Sequence, residues 1–161
     1  EGCTSRAIVT LRISVTRIGG SAFDGCTSVT SITIPDSVTS IEYSAFSGCK
    51  SLASVTIGNG VTSIGQFAFS GCTSLANITI PDSVTSIKDY AFRGCTSLES
   101  AAIGNGVTKI GQFAFEDCTS LTNITFNGTK EEWNAIMKNL GWNYNTGSYT
   151  IHCTDGDIEK S

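Results

Sequence analysis

Cysteine recurs at Cys3, Cys26, Cys49, Cys72, Cys95 and Cys118, always 23 residues apart. A fixed period of this length marks a solenoid, in which each period is one coil stacked on the last. Counted from Cys, the fourth position holds Val29, Leu52, Leu75, Leu98 and Leu121. The seventh holds Val9, Ile32, Val55, Ile78 and Ile124, and the ninth Leu11, Ile34, Ile57, Ile80, Ile103 and Phe126. Alternation of β-branched residues at the seventh and ninth positions predicts a short strand with one buried face.

The strand is punctuated by turns of two kinds in alternation, Pro35-Asp36-Ser37 and Pro81-Asp82-Ser83 against Gly58-Asn59-Gly60 and Gly104-Asn105-Gly106. Proline fixes φ for a bend, and Gly and Asn tolerate positive φ. A V-T-S-I segment follows, then an Ala-Phe pair, as at Ala45-Phe46, Ala68-Phe69 and Ala91-Phe92. Small beside large suits a tight return segment whose Phe plugs the coil. Glycine at Gly25, Gly48, Gly71 and Gly94 turns the chain to the next Cys. No coil of this kind buries its own apolar face, so stability must come from stacking about five and a half of them.

The pattern C-x-x-L-x-x-I-x-I-P-x-x-V-x-x-I-x-x-x-A-F-x-G resembles the BspA-type leucine-rich repeat family of surface proteins from host-associated bacteria and some parasitic protists. It covers residues 3 to about 126. The resemblance implies a right-handed leucine-rich repeat solenoid with short parallel β-strands on one face and irregular, short-turn return segments. The first unit departs from the pattern, with Arg6 in place of Leu and Arg12 in place of Pro or Gly.

Beyond Phe126 the period stops, which divides the chain into repeats, 1–126, and a C-terminal cap, 127–161. Thr129-Lys130-Glu131-Glu132 reads as a capping box, with Trp133, Ile136, Met137 and Leu140 at helical spacing and Gly141 as a stop. These predict one α-helix over about 130–140, lying across the end of the solenoid with Trp133 on the Leu121 and Ile124 rung. Tyr149 to Cys153 predicts a final parallel strand over about 149–153, Ile151 and Cys153 matching Ile124 and Phe126. With no polar cap at the other end, an upstream continuation of the chain is expected.

Composition excludes several functions. Of 161 residues, fourteen are acidic and ten basic, a net charge of -4, the wrong sign for nucleic acid or an anionic membrane surface. No apolar run is long enough to span a bilayer. Seven cysteines cannot all pair within the chain. Stacked cysteines lie within disulfide range, yet their parallel Cβ directions oppose the disulfide torsion, so a buried thiol ladder is expected. With no C-x-x-C and no nearby His, neither a metal nor another cofactor is expected. His152, between Ile151 and Cys153, is expected to point outward as a solvated strand residue. Glu131 and Glu132 suit a helix start rather than acid–base work. The sequons at Asn77, Asn123 and Asn127 matter only if a eukaryote secretes the chain. Nothing here reads as an enzyme.

The outward strand positions remain. The eighth holds Thr10, Thr33, Thr56, Thr79, Ala102 and Thr125; the sixth holds Ser31, Ser54, Asn77, Ser100 and Asn123. Thr suits any exposed strand. Alternatively, a flat Thr array could bind ice or a crystalline polysaccharide, although few aromatics project there. The family resemblance implies a third reading, that this face binds a host or neighbouring-cell surface protein. The expected function is therefore adhesion by a monomeric, extracellular, cell-surface module without membrane insertion, a structural spacer being the rival.

Overall fold

The computed structural model describes residues 7–160; residues 1–6 and 161, and with them the expectations for Cys3 and Arg6, lie outside the described residues. Each coil contributes one strand to each of two parallel faces. The first has β1 (Ala7–Thr10) and β2 (Arg17–Ile18), the second β3 (Val29–Ile34) and β4 (Ser40–Ile41), and the third β5 (Ser54–Ile57) and β6 (Ser63–Ile64). The fourth adds β7 (Asn77–Ile80) and β8 (Ser86–Ile87), the fifth β9 (Ser100–Ile103) and β10 (Lys109–Ile110). The last comprises β11 (Asn123–Phe126), α1 (Lys130–Ala135) and β12 (Met137–Lys138), before β13 (Thr150–Cys153) and β14 (Gly156–Glu159). The longer strands form two sheets, β1-β3-β5 and β7-β9-β11-β13-β14. The two-residue strands form a six-stranded second sheet within the return segments.

Register is what turns the repeat into a core. Ile32 faces Val55, Ile78 faces Ala101 and Ala101 faces Ile124, so each repeat position becomes a column along the solenoid. Leu52, Leu75, Leu98 and Leu121 are wholly buried, as are Phe46, Phe69, Phe92 and Phe115. From Phe23 to Phe115 the rings stack with centroids 5.1–5.4 Å apart. That spacing follows from strands about 4.8 Å apart and is met by offset rather than superposed rings. The return segments are tied coil to coil as well, Phe46 N–H donating to Ala68 O and Phe69 N–H to Ala91 O.

The two turn types prove to be mates. A Cβ on Gly60 would lie 1.9 Å from Asp36 O, and one on Gly106 1.8 Å from Asp82 O. Their φ values are not positive. These glycines are therefore there for lack of room, not for the left-handed backbone that sequence reasoning assigned them. The Asp36 carboxylate accepts from Asn59 N–H, and Asp82 from Asn105 N–H. The second sheet alternates in the same way, Gly65 and Gly111 lying under Glu42 and Lys88 of the preceding coils. The structural unit is a pair of coils.

The cysteine column is a hydrogen-bonded ladder. The thiols of Cys49, Cys72, Cys95 and Cys118 donate to the carbonyls of Phe23, Phe46, Phe69 and Phe92 at 3.1–3.2 Å. Burial pushes the Cys72, Cys95 and Cys118 thiols up, Cys118 to about 12. Folding thus favours the neutral thiol.

The helix is shorter than its apolar spacing implied. The capping box is formed, with Glu132 N–H donating to Thr129 Oγ1 and Thr129 N–H to Glu132 Oε2. The helix nevertheless stops at Ala135, because Ile136 turns to ψ 128° and Met137-Lys138 pairs with Lys109-Ile110. Met137 and Leu140 are exposed rather than packed. The 137–147 segment is a disguised return segment: Phe115 N–H donates to Trp142 O and Asp117 N–H to Tyr144 O, the bonds each earlier coil makes with its successor. Gly141, at φ 68°, matches Phe113 at φ 54° instead of stopping a helix. Lys138 stands at the column position of Ile110, and its amine donates to the carbonyls of Trp133 and Ile136, serving the helix end. Ile151 pairs with Ile124 as expected. The chain then doubles back, so that antiparallel β14, not a parallel strand, closes the sheet.

Trp133 is buried, its ring 5.4 Å from Phe126 and 6.0 Å from Trp142. Trp133→Ala is expected to destabilise by about 3–5 kcal/mol; an unchanged denaturant midpoint would show that the cap does not support the coils. The thiols predict a pH effect. Since their unfolded value is near 9.0 and their folded values are higher, their contribution is whole below about pH 9 and is lost progressively above it. The melting temperature should fall more steeply from pH 9 to 11 than in a variant with Cys72, Cys95 and Cys118 changed to Ala. Parallel curves would refute the ladder's role.

Candidate functional site

The strand face presents the residues that the sequence singled out. Thr33, Thr56, Thr79, Thr125, Ser54, Asn77 and Asn123 are exposed, Ser31 and Ser100 half-buried. Parallel pairing sets Ser31 beside Ser54 and Thr33 beside Thr56; Asn77, Ser100 and Asn123 form one row, Thr79, Ala102 and Thr125 another. Ser100 Oγ donates to Asn77 Oδ1 at 2.7 Å. The face is not one uninterrupted plane, because its ladder divides between β5 and β7. In the first coil the outward position is Ile8, 77% exposed, which breaks the polar row.

Where Ala102 replaces Thr, the face dips into an open groove of about 600 Å³. Thr79, Ala102, Thr125 and His152, one row of the sheet, line it on the sheet side; Asp82 and Asn127 line it toward the turns. Asp82 is held in place, accepting from Asn105 N–H at 3.0 Å and from Asn127 Nδ2 at 3.2 Å to each oxygen. His152 is outward, as its alternation implied, but it is partnered rather than merely solvated: Nδ1 lies 3.0 Å from Asp157 Oδ1 and Nε2 3.2 Å from Asn123 Oδ1. This arrangement braces the end of the sheet and offers a fixed carboxylate, amides and hydroxyls to a ligand. Among the described residues, no three His, Cys, Asp or Glu side chains gather as metal ligands.

Sequence reasoning took the outward strand positions and missed the groove's turn side. A signal was available. Asx recurs at the eleventh position as Asp36, Asn59, Asp82 and Asn105, and Ala102 is the single gap in the Thr row from Thr10 to Thr125.

Comparison with known proteins accords with this architecture. Three similar solved structures are bacterial. A leucine rich cell surface protein of Faecalibacterium prausnitzii is 41% identical with TM-score 0.80, over 83% of this chain and 35% of that one. The leucine-rich repeat protein TpLRR of T. pallidum is 34% identical with TM-score 0.71, over 73% and 57%. A leucine-rich repeat protein from Bacteroides ovatus is 28% identical with TM-score 0.64, over 89% and 41%. The chain thus spans about a third of the first protein's length and just over half of the second's. No curated protein matches it. The model of the BspA type leucine rich repeat region matches residues 1–100 in six copies, and with the in-register coils, the buried Leu, Phe and Cys columns and these neighbours, the chain belongs to the BspA-type leucine-rich repeat family.

Proposed function

We propose that the chain is a non-enzymatic binding module of a longer extracellular surface protein, holding a host or neighbouring-cell surface protein against its strand face and the adjoining groove. One observation carries the reading: the outward strand positions are small and neutral almost throughout. Core packing fixes the inward columns and backbone fit fixes the turns, but neither restricts the sixth and eighth positions. Long or charged side chains there would hold a partner off, and desolvating an unpaired charge is unfavourable. The groove supplies what a flat array lacks, an anchored Asp82 carboxylate beside amide donors, and so favours a shaped polar partner over an ice or crystal lattice. Placement at the cell surface is supported by the description of the F. prausnitzii relative. Among the described residues, no helix is long and apolar enough to cross a membrane. The module is taken to act as a monomer.

Thr56→Lys with Thr79→Lys tests this. Stability should change by about 0.5 kcal/mol or less, since both positions face solvent, while capture of extracellular host proteins by the immobilised domain should be lost. Lys50→Ala, on another side, serves as the control. Normal capture by the Lys pair would move the site elsewhere, and failure of the unaltered domain to bind any such protein saturably would favour a spacer.

A further inference from the structure

The groove on the strand face holds one carboxylate and no basic side chain to neutralise it. Of the residues lining it, Asp82 alone carries a carboxylate, and none is Lys or Arg. Among the described residues, no ion pair engages Asp82. His152, which also lines the groove, has Nδ1 turned to Asp157 Oδ1 and Nε2 to Asn123 Oδ1, leaving no ring nitrogen for a ligand. The rest of the lining is largely apolar. The Ala102 methyl stands where the rungs on either side have Thr79 and Thr125, and Ile80, Ile103 and Phe126 border it. An apolar trough beside an unneutralised carboxylate matches a side chain with an aliphatic stem and a cationic tip.

The bonds already made to Asp82 decide between the two cationic side chains. A carboxylate has about four acceptor positions, two on each oxygen. Asn105 N–H takes one on Oδ1 at 3.0 Å, and Asn127 Nδ2 spans both oxygens at 3.2 Å to each. What is left is a single position on Oδ2. Arginine recognises a carboxylate with two parallel bonds, one to each oxygen, and Asn127 already sits across that pair. Lysine's compact ammonium needs only one acceptor, and its stem packs along apolar surface. Asp36 supplies the contrast. It holds the same turn position two coils earlier and accepts from Asn59 N–H at 2.7 Å. Yet Thr56 stands toward it as Ala102 does toward Asp82, and Pro81, without a side-chain donor, stands as Asn127 does. The apolar gap and the amide clamp thus occur together at Asp82.

We propose that the groove seats a lysine side chain of the partner polypeptide, its stem along Ala102 and its ammonium on Asp82 Oδ2, and selects it over arginine; the identity of the partner rests on the strand-face reading. The probe is a short Gly-Ser peptide with one central Lys, titrated at neutral pH into the isotope-labelled domain and followed by amide chemical shifts. Peptides with Arg, norleucine or Nε-acetyl-lysine at the same position run beside it. Saturable shifts at Ala102, Gly104 and Asn127 are expected with the Lys peptide, half-complete at millimolar concentration, with weaker binding of the other three. Asp82→Asn should weaken the Lys peptide about threefold, as loss of an exposed ion pair does. The melting temperature should hold, since Asn59 and Asn105 occupy the same turn position in other coils. Ala102→Thr, which restores the residue of the neighbouring rungs, should weaken the peptide by a similar factor. Asp36→Asn, equal to Asp82→Asn in net charge, should leave it unchanged. The lysine site is overturned by no saturation at tens of millimolar peptide, by equal binding of the Arg, norleucine or acetylated peptide, by full affinity in folded Asp82→Asn protein, or by an equal loss in Asp36→Asn. Undiminished capture of a host protein by Asp82→Asn would also overturn it while the strand-face reading stands. Lys-peptide shifts without host-protein capture by the unaltered domain would remove that reading and keep the lysine site.

Discussion

Everything in this molecule depends on the backbone ladder between successive coils. Because the coils before the cap share one length and their strands pair at 23-residue intervals from Ile8 onward, the spacing between strands is imposed on every side chain, and residues 23 apart become neighbours. A column has a collective character that a single residue lacks. A buried thiol alone would be a small apolar filler, but in register each donates to a phenylalanine carbonyl of the preceding coil. The Phe column likewise joins the coils through continuous ring contact, so that apolar burial and backbone pairing stabilise the same interfaces.

The repeating part was legible because a periodic sequence states its own contacts: Leu at the fourth position and Phe in the return segment could only converge. The cap was less so. Ile136, Met137 and Leu140 have helical spacing, yet pairing with β10 claims Met137 and Lys138 for one more rung, and tertiary hydrogen bonding outweighs local periodicity. Trp142 and Gly141 stand where Ala114 and Phe113 stand in the coil before, a correspondence that residue identity hides and only the backbone bonds disclose. At the candidate site, the Thr and Ser rows could be read directly. The groove could not, because it arises from the absence of a side chain at Ala102 and the meeting of Asp82 with Asn127, 45 residues away.

The two sides of the coil solve different problems. The strand side keeps small neutral groups outward, whereas the return side accepts a left-handed backbone under Phe67, Tyr90 and Phe113, and each ring shields part of the next. That column also explains how a narrow coil stays stiff where its strands are only two residues long: ring stacking outside and the Phe column inside grip the Ala-Phe backbone from both sides.

The mating of the two turn types bears on how such a chain can grow or shrink. Pro35-Asp36-Ser37 is followed by a turn with no Cβ at Gly58 and Gly60, and the same relation returns at Pro81-Asp82-Ser83 with Gly104 and Gly106. Removing a single 23-residue coil would seat one proline turn directly on another and drive a serine Cβ into an aspartate carbonyl. Removing two restores the match. The heritable quantum of length is therefore 46 residues, and recombination between copies of this gene segment would keep the parity of its coils even while changing their number.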